Sequence, residues 1–169
     1  VTQSEMGNRF ILVVIDFFTH WVEAFATKNQ EARTTAELLV TEVFSRFSVP
    51  YIIHTDQGVQ FESALFKEIC DLFDVARTRN SPYHPACNRM TERVNQTIIL
   101  IPATSADGRA TDWDRRLNMQ LLAYRTAVHK STGFSPFEMI FGYQPRVPLD
   151  CIVPTPDEAE VLTSNELTT

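Results

Sequence analysis

Phe10-Ile-Leu-Val-Val-Ile15 is apolar at every position. A strand with one face in water alternates apolar and polar residues, whereas an unbroken run demands cover on both faces. The run therefore predicts a central strand in a sheet layered with helices. It stops abruptly at Asp16. A second stretch behaves alike: after Pro50, Tyr51-Ile-Ile supplies β-branched bulk and runs through His54-Thr to Asp56, with Gly58 permitting a tight exit. Each predicted strand delivers a carboxylate to a loop.

The intervening chain sets how these strands relate. Residues 1–9 are polar and read as an extended lead-in. Thr19-His20 makes a turn, after which Trp21, Glu23 and Phe25 separate from Val22, Ala24 and Ala26 onto opposite faces of a second strand. So short a link predicts an antiparallel hairpin. A helix follows over about 31–47, with Ala36, Leu39, Val40, Val43, Phe44 and Phe47 on one face. Thr34-Thr-Ala-Glu37 resembles a capping box, although the helix could also start several residues earlier. A strand, helix, strand order predicts a parallel pairing between the Asp16 and Asp56 strands, with both acids at one sheet edge.

Leu65, Phe66, Ile69, Cys70 and Phe73 predict a second amphipathic helix, and Val75–Thr78 a short outer strand. Ser81-Pro-Tyr-His-Pro85 excludes a helix through its prolines. Asn88 or Thr91 caps the next helix, which carries Glu92, Asn95, Gln96 and Ile99 and is limited by Pro102. Thr111-Asp-Trp-Asp114 opens a helix with the stripe Trp113, Leu117, Leu121 and Tyr124. Ser135-Pro-Phe-Glu138 has a cap, an N-terminal proline and Glu at the third position, and Gly142 ends that short helix.

The chain has 169 residues and a net charge of −6. That charge argues at first against a polyanionic partner, since phosphate binding relies on Lys and Arg. Its distribution removes the objection, because Asp150, Asp157, Glu158, Glu160 and Glu166 concentrate the excess in the last twenty residues. Residues 1–149 are then a nearly neutral core domain, and residues 150–169 an acidic, Pro-containing, disordered tail or linker. Arg77, Arg79, Arg89 and Arg93 cluster around Glu92, either as a solvated charge-rich loop or as a basic patch. Cys70, Cys87 and Cys151 have no zinc-ligand spacing and read as free thiols in a reducing, intracellular setting. No apolar run approaches the roughly 18 residues of a membrane span, which predicts a soluble protein without a membrane partner. Val1 at the start predicts a segment of a longer chain.

Taken singly, an Asp at a strand end is a common turn former and a Glu in a first helical turn suits the helix dipole. Together, two neighbouring strand ends and one helix start would aim Asp16, Asp56 and Glu92 into one space, where three anions repel unless cations compensate. Hard oxygen ligands with open positions suit Mg²⁺ or Mn²⁺. Two such ions serve in-line phosphoryl displacement, the chemistry of nucleases and phosphoryl transferases. Arg93, Asn95 and Gln96 would then hold a nucleic-acid backbone beside the metals.

Val13-Val-Ile-Asp16-Phe-Phe-Thr-His-Trp21, His54-Thr-Asp56-Gln-Gly-Val-Gln-Phe61, Pro82-Tyr-His-Pro85 with Glu92-Arg-Val-Asn95, and Ala123-Tyr-Arg-Thr126 through Thr132–Gly142 closely resemble the catalytic core of gypsy-type retrotransposon integrases, relatives of retroviral integrases. The resemblance covers about 8–150. The family's D,D-35-E signature falls on Asp16, Asp56 and Glu92, with 35 residues between the last two. It implies an α/β, RNase H-like fold: a five-stranded mixed sheet, three strands antiparallel and two parallel, flanked by helices and binding two Mg²⁺ (or Mn²⁺) ions. It also implies 3′-end processing of the element's DNA and strand transfer into target duplex, within a homo-oligomer acting in the nucleus. Asn95 and Gln96 match family positions that approach the DNA end, and Tyr83 and His84 lie in the matching mobile loop; Arg93 and Arg89, from the basic cluster, complete the expected DNA-binding set. The family's zinc-binding and C-terminal DNA-binding domains lie outside this chain.

Two local features depart from that pattern. Ala86-Cys-Asn-Arg89 stands where the family has Gln-Ser-x-Gly, and Pro102-Ala-Thr-Ser-Ala106 interrupts a helix that usually continues. Losing the glycine removes backbone freedom at Arg89. These changes keep open a second reading, a decayed or domesticated copy that retains the fold as a silent DNA-binding or assembly domain.

Overall fold

The computed structural model describes residues 2–79, 94 and 111–147. Its first elements are β1 (Phe10–Ile15) and β2 (Val22–Thr27), antiparallel in the register Phe10↔Thr27 through Ile15↔Val22. The predicted hairpin is present, but the two strands exchange their expected burial. Every residue of β1 is only half-buried, whereas Val22, Glu23, Ala24 and Thr27 of β2 are buried. A carboxylate survives there because it is partnered: Trp21 Nε1 donates to Glu23 Oε1 at 2.9 Å, and Arg46 lies 3.4 Å from the same oxygen. Pairing satisfies a charge that burial alone would penalise. Nothing in the apolar periodicity announced Arg46; a Trp and a Glu two apart on one strand face were the available signal.

The predicted helix is real but composite. It runs as α1 (Ala32–Leu38), a π-helical segment Leu39–Phe44, and α2 (Ser45–Phe47). Thr41 Oγ1 donates to the Glu37 carbonyl at 2.8 Å and Ser45 Oγ donates to the Thr41 carbonyl, so hydroxyls compete with amides for the i−4 acceptors and the coil widens. The Thr34–Glu37 capping box does not form. Glu31 holds the N-cap position without a side-chain bond, and Thr35 is buried inside the helix, so the earlier start is the one adopted.

β3 (Ile52–Thr55), α3 (Ala64–Leu72) and β4 (Ala76–Arg79) make a strand, helix, strand unit whose strands pair in parallel, Ile52↔Ala76 to Thr55↔Arg79. The crossover expected between the Asp16 and Asp56 strands is thus realised one unit later in the chain. Among the described residues the sheets are β1-β2 and β3-β4, two strands each, rather than five strands in one sheet. Four-residue strands with polar second halves, His54-Thr55 and Thr78-Arg79, offer little apolar surface to hold a longer ladder. What the sheets share is a core. Leu39, Phe44, Phe66, Cys70 and Val75 are buried together, with Val14 of β1 and Ile53 of β3 packed against them. Phe61 and Phe66 meet edge-on at 5.2 Å, as do Phe44 and Phe73 at 5.6 Å. Ser63 caps α3 by accepting from the Phe66 amide at 3.1 Å. Leu65, expected on the buried face, is 39% exposed instead. Cys70 is a free thiol, and its burial pushes the pKa up, which leaves little thiolate for reaction.

α4 (Trp113–Thr126) buries Trp113, Leu117 and Leu121, as the stripe predicted. The lead-in is no loose arm. Trp113 Nε1 donates to the Thr2 carbonyl at 2.8 Å, the Glu5 amide to the Thr111 carbonyl at 2.8 Å, and Ser4 Oγ and Asn8 Nδ2 to Asp114 Oδ2 at 2.5 and 2.7 Å. Burial pulls the Asp114 carboxyl upward, but bonds from Ser4, Asn8 and the Arg115 amide outweigh it and hold its pKa below the ordinary aspartate value. A folded pKa below the unfolded one stabilises the fold fully above about pH 4, and that contribution is lost as pH falls through the folded value. Thermal melting across the acid range is therefore expected to show a smaller loss of stability in Asp114→Asn than in the wild type. Identical slopes would remove the clamp from the account.

The chain divides into two compact units, Val1–Ala123 and Tyr124–Thr169, with the division inside the last turn of α4. The second unit holds α5 (Pro136–Phe141), whose capping box is complete: Ser135 Oγ accepts from the Glu138 amide at 3.1 Å, and Glu138 Oε2 accepts from the Ser135 amide at 3.0 Å. Gly142 closes it at φ 76°, a left-handed conformation that glycine adopts without steric cost. Ser135 is fully buried, so Ser135→Ala is expected to cost about 1 kcal/mol, read as faster amide exchange within α5. Among the described residues no helix is long and apolar enough to cross a membrane. The proposed tail, 150–169, lies outside the described residues, as do Cys87 and Cys151.

Candidate active site

Asp16 ends β1 and folds its own turn. The Thr19 amide and hydroxyl both donate to Asp16 Oδ2, at 2.8 and 2.6 Å, while the His20 amide donates to the Asp16 carbonyl at 2.9 Å. His20 completes the reversal at φ 60°. The turn thus uses one carboxyl oxygen and leaves the side chain exposed.

Asp56 follows β3 in the same style. Its Oδ1 accepts from the Gly58 amide at 2.9 Å, and the Phe61 amide bonds back to the Gly58 carbonyl at 2.9 Å. Gly58 leaves room for the side chains beside it: a Cβ there would come within 2.9 Å of Asp56 Oδ1 and 2.5 Å of Gln60 Nε2, so both side-chain ends would have to move aside. Asp56 is also exposed.

The strand ends are joined through side chains. The rings of Phe17, next to Asp16, and His54, two before Asp56, meet edge-on at 5.5 Å. His54 Nδ1 is hydrogen-bonded to Thr78 Oγ1, its cross-strand neighbour on β4. This ring contact was not foreseen, since Phe17 and His54 lie 37 residues apart and no periodicity links them.

Glu92, the third predicted acid, lies outside the described residues, as do Tyr83, His84, Arg89, Arg93, Asn95 and Gln96. Val94 is helical and buried to 2% exposure. Among the described residues no group of three or more His, Cys, Asp or Glu is placed to hold a metal ion. The donor chemistry of the described pair nonetheless fits a hard cation. Asp16 and Asp56 are exposed, each spends one oxygen on its own turn, and a monodentate carboxylate with water suits Mg²⁺. Of the predicted basic patch, Arg77 is exposed, and its Nη1 donates to the Phe61 carbonyl at 3.4 Å, alongside the loop that follows Asp56.

Residues 2–85 match the family model described as integrase core domain. The chain is 32% identical over 141 residues to the Gag-Pol polyprotein of baboon endogenous virus and 33% identical over 141 residues to the Pol polyprotein of Radiation murine leukemia virus. Each match covers 82% of this chain but only 8% and 24% of those polyproteins, so the chain spans a small part of their length. The HTLV-2 integrase catalytic core domain, solved in complex with magnesium in a trimeric form, aligns with TM-score 0.62 at 20% identity, over 76% of this chain and 82% of that one. A chain of the simian T-cell lymphotropic virus intasome, bound to a PP2A regulatory subunit, aligns with TM-score 0.65 at 20% identity, over 82% of this chain and 49% of that one. The fold is the RNase H-like α/β fold of integrase catalytic cores.

Proposed function

We propose, from the match of residues 2–85 to the integrase core domain family, that this chain is the metal-dependent catalytic core of a DNA integrase from a retrovirus-like polyprotein. The reaction assigned to it is 3′-end processing followed by strand transfer, with element ends and target duplex as partners. The observation that carries this reading is that Asp16 and Asp56 each leave a strand end exposed, with one carboxyl oxygen committed to its own turn. Glu92 supplies the third carboxylate in this reading. Two Mg²⁺ or Mn²⁺ ions bound there would stabilise the attacking and leaving oxygens of an in-line displacement at phosphorus.

The chain's own residues do the holding. The turn hydrogen bonds keep both carboxylates oriented before any cation arrives, which lowers the ordering cost of binding. Arg77, with Arg93, Asn95 and Gln96 close to Glu92 in sequence and Tyr83, His84 and Arg89 before it, is assigned to the DNA backbone and end. Such contacts are electrostatic, so affinity is expected to fall steeply with salt. Assignment to the gypsy-type branch, the five-stranded sheet, nuclear action and a homo-oligomer are the finer parts of the same reading. The branch rests on the four sequence segments, and the oligomer on the trimeric form of the HTLV-2 core.

The test is nicking and strand joining on a short branched DNA with Mg²⁺ or Mn²⁺, repeated with chelator. Metal-dependent product is the expected result. An intact fold that binds no Mn²⁺ at millimolar concentration would instead establish the silent assembly domain that Arg89 and Pro102 suggest.

A further inference from the structure

Asp16 and Asp56 leave strands that share no described ladder, since β1 pairs with β2 and β3 with β4. Backbone hydrogen bonds therefore set each acid within its own sheet but not the distance between the two. That distance falls to side chains: Val14 of β1 and Ile53 of β3 pack on one core, and nearer the acids the ring of Phe17, covalently adjacent to Asp16, meets edge-on the ring of His54, two residues before Asp56. The His54 ring is held in turn by its bond to Thr78 Oγ1 on β4, so its orientation is set by the neighbouring strand. An edge-on pair constrains both separation and tilt, because the positive ring edge must face the negative ring face.

We propose that His54 is a positioning residue: its ring, braced by Thr78, bears on Phe17 and so fixes the spacing between the Asp16 and Asp56 carboxylates. The role is steric and independent of the charge on the imidazole. This inference rests on the reading of the two aspartates as metal ligands. His54 needs no contact with a cation to act, just as partners behind a ligand shell govern affinity by orienting the ligands.

The experiment is Mn²⁺ titration of the chain by calorimetry and by the paramagnetic resonance of the bound ion, with thermal melting as the folding control. His54→Ala is expected to weaken Mn²⁺ binding by about 10- to 100-fold. His54→Phe, which keeps a ring against Phe17 but not the bond to Thr78, is expected to recover most of that loss, a rescue that general loosening of the fold would not give. Phe17→Ala removes the same contact from the opposite side, within an exposed turn, and should reproduce the loss even if His54→Ala fails to fold. Wild-type affinity in Phe17→Ala and His54→Ala, with Asp16→Asn and Asp56→Asn losing the ion, would overturn the positioning role alone. Wild-type affinity in the two asparagine variants would overturn the metal-site reading itself.

Discussion

Asp56→Asn is expected to lower metal-dependent DNA nicking and joining by at least about a thousand-fold, a barrier increase of several kcal/mol. The size follows from what the substitution changes. Asparagine keeps an oxygen that can accept the Gly58 amide, so the turn after β3 survives. It removes the negative charge that attracts a hard cation, and a neutral amide is a poor replacement. Asp16→Asn should behave alike, since the amide oxygen can still accept from the Thr19 amide and hydroxyl. In the proposed site the two acids serve one centre, so the double variant is expected to be little worse than either single one. Steady-state product formation, with the melting curve as control, reads the effect. Full activity in either folded variant would remove that acid from the chemistry.

Phe66→Ala is expected to cost about 3 to 5 kcal/mol. Phe66 is 1% exposed and packs in the cluster of Leu39, Phe44, Cys70 and Val75, with the Phe61 ring edge-on against it. Truncation leaves a cavity among Leu39 and Phe44 of the π-helical segment, Cys70 of α3 and Val75 just before β4. Against a total of about 5 to 15 kcal/mol for an ordinary domain, that is a large share. The melting temperature should fall by roughly 10 °C or more. Leu65→Ala, its neighbour at 39% exposure, is the control and should cost well under half as much. Equal losses would mean that the core does not lie where the structure puts it.

The contrast between those neighbours shows where apolar pattern succeeds and where it falls short. Periodicity placed Leu65 and Phe66 on one face, because an i, i+1 pair straddles any stripe about 100° wide. Which of them is covered depends on where the π-helical segment and β4 lie. The same limit produced the exchange between β1 and β2. An unbroken apolar run says that a strand tolerates burial, not that a neighbour arrives to cover it. A carboxylate in β2 reads as solvent-facing until Arg46, 23 residues away, is seen beside it. The helix caps divide on the same principle. Ser135 with Glu138 was legible since the whole box lies within four residues, while Thr34–Glu37 failed because Thr35 faces the interior.

The candidate site divides in the same way. The identity of Asp16 and Asp56 and the turns that present them are properties of a few consecutive residues, so local sequence specifies them almost completely. The family's spacing to Glu92 is likewise written in the chain. Pairing is another matter: β3 takes β4 as its parallel partner, and the segments that carry the acids meet through an aromatic ring contact between Phe17 and His54. Interactions across dozens of residues depend on how all the surfaces fit at once, and no short stretch carries that information. Local order was therefore decided by the residues themselves, and the distance between the two carboxylates by the packed molecule.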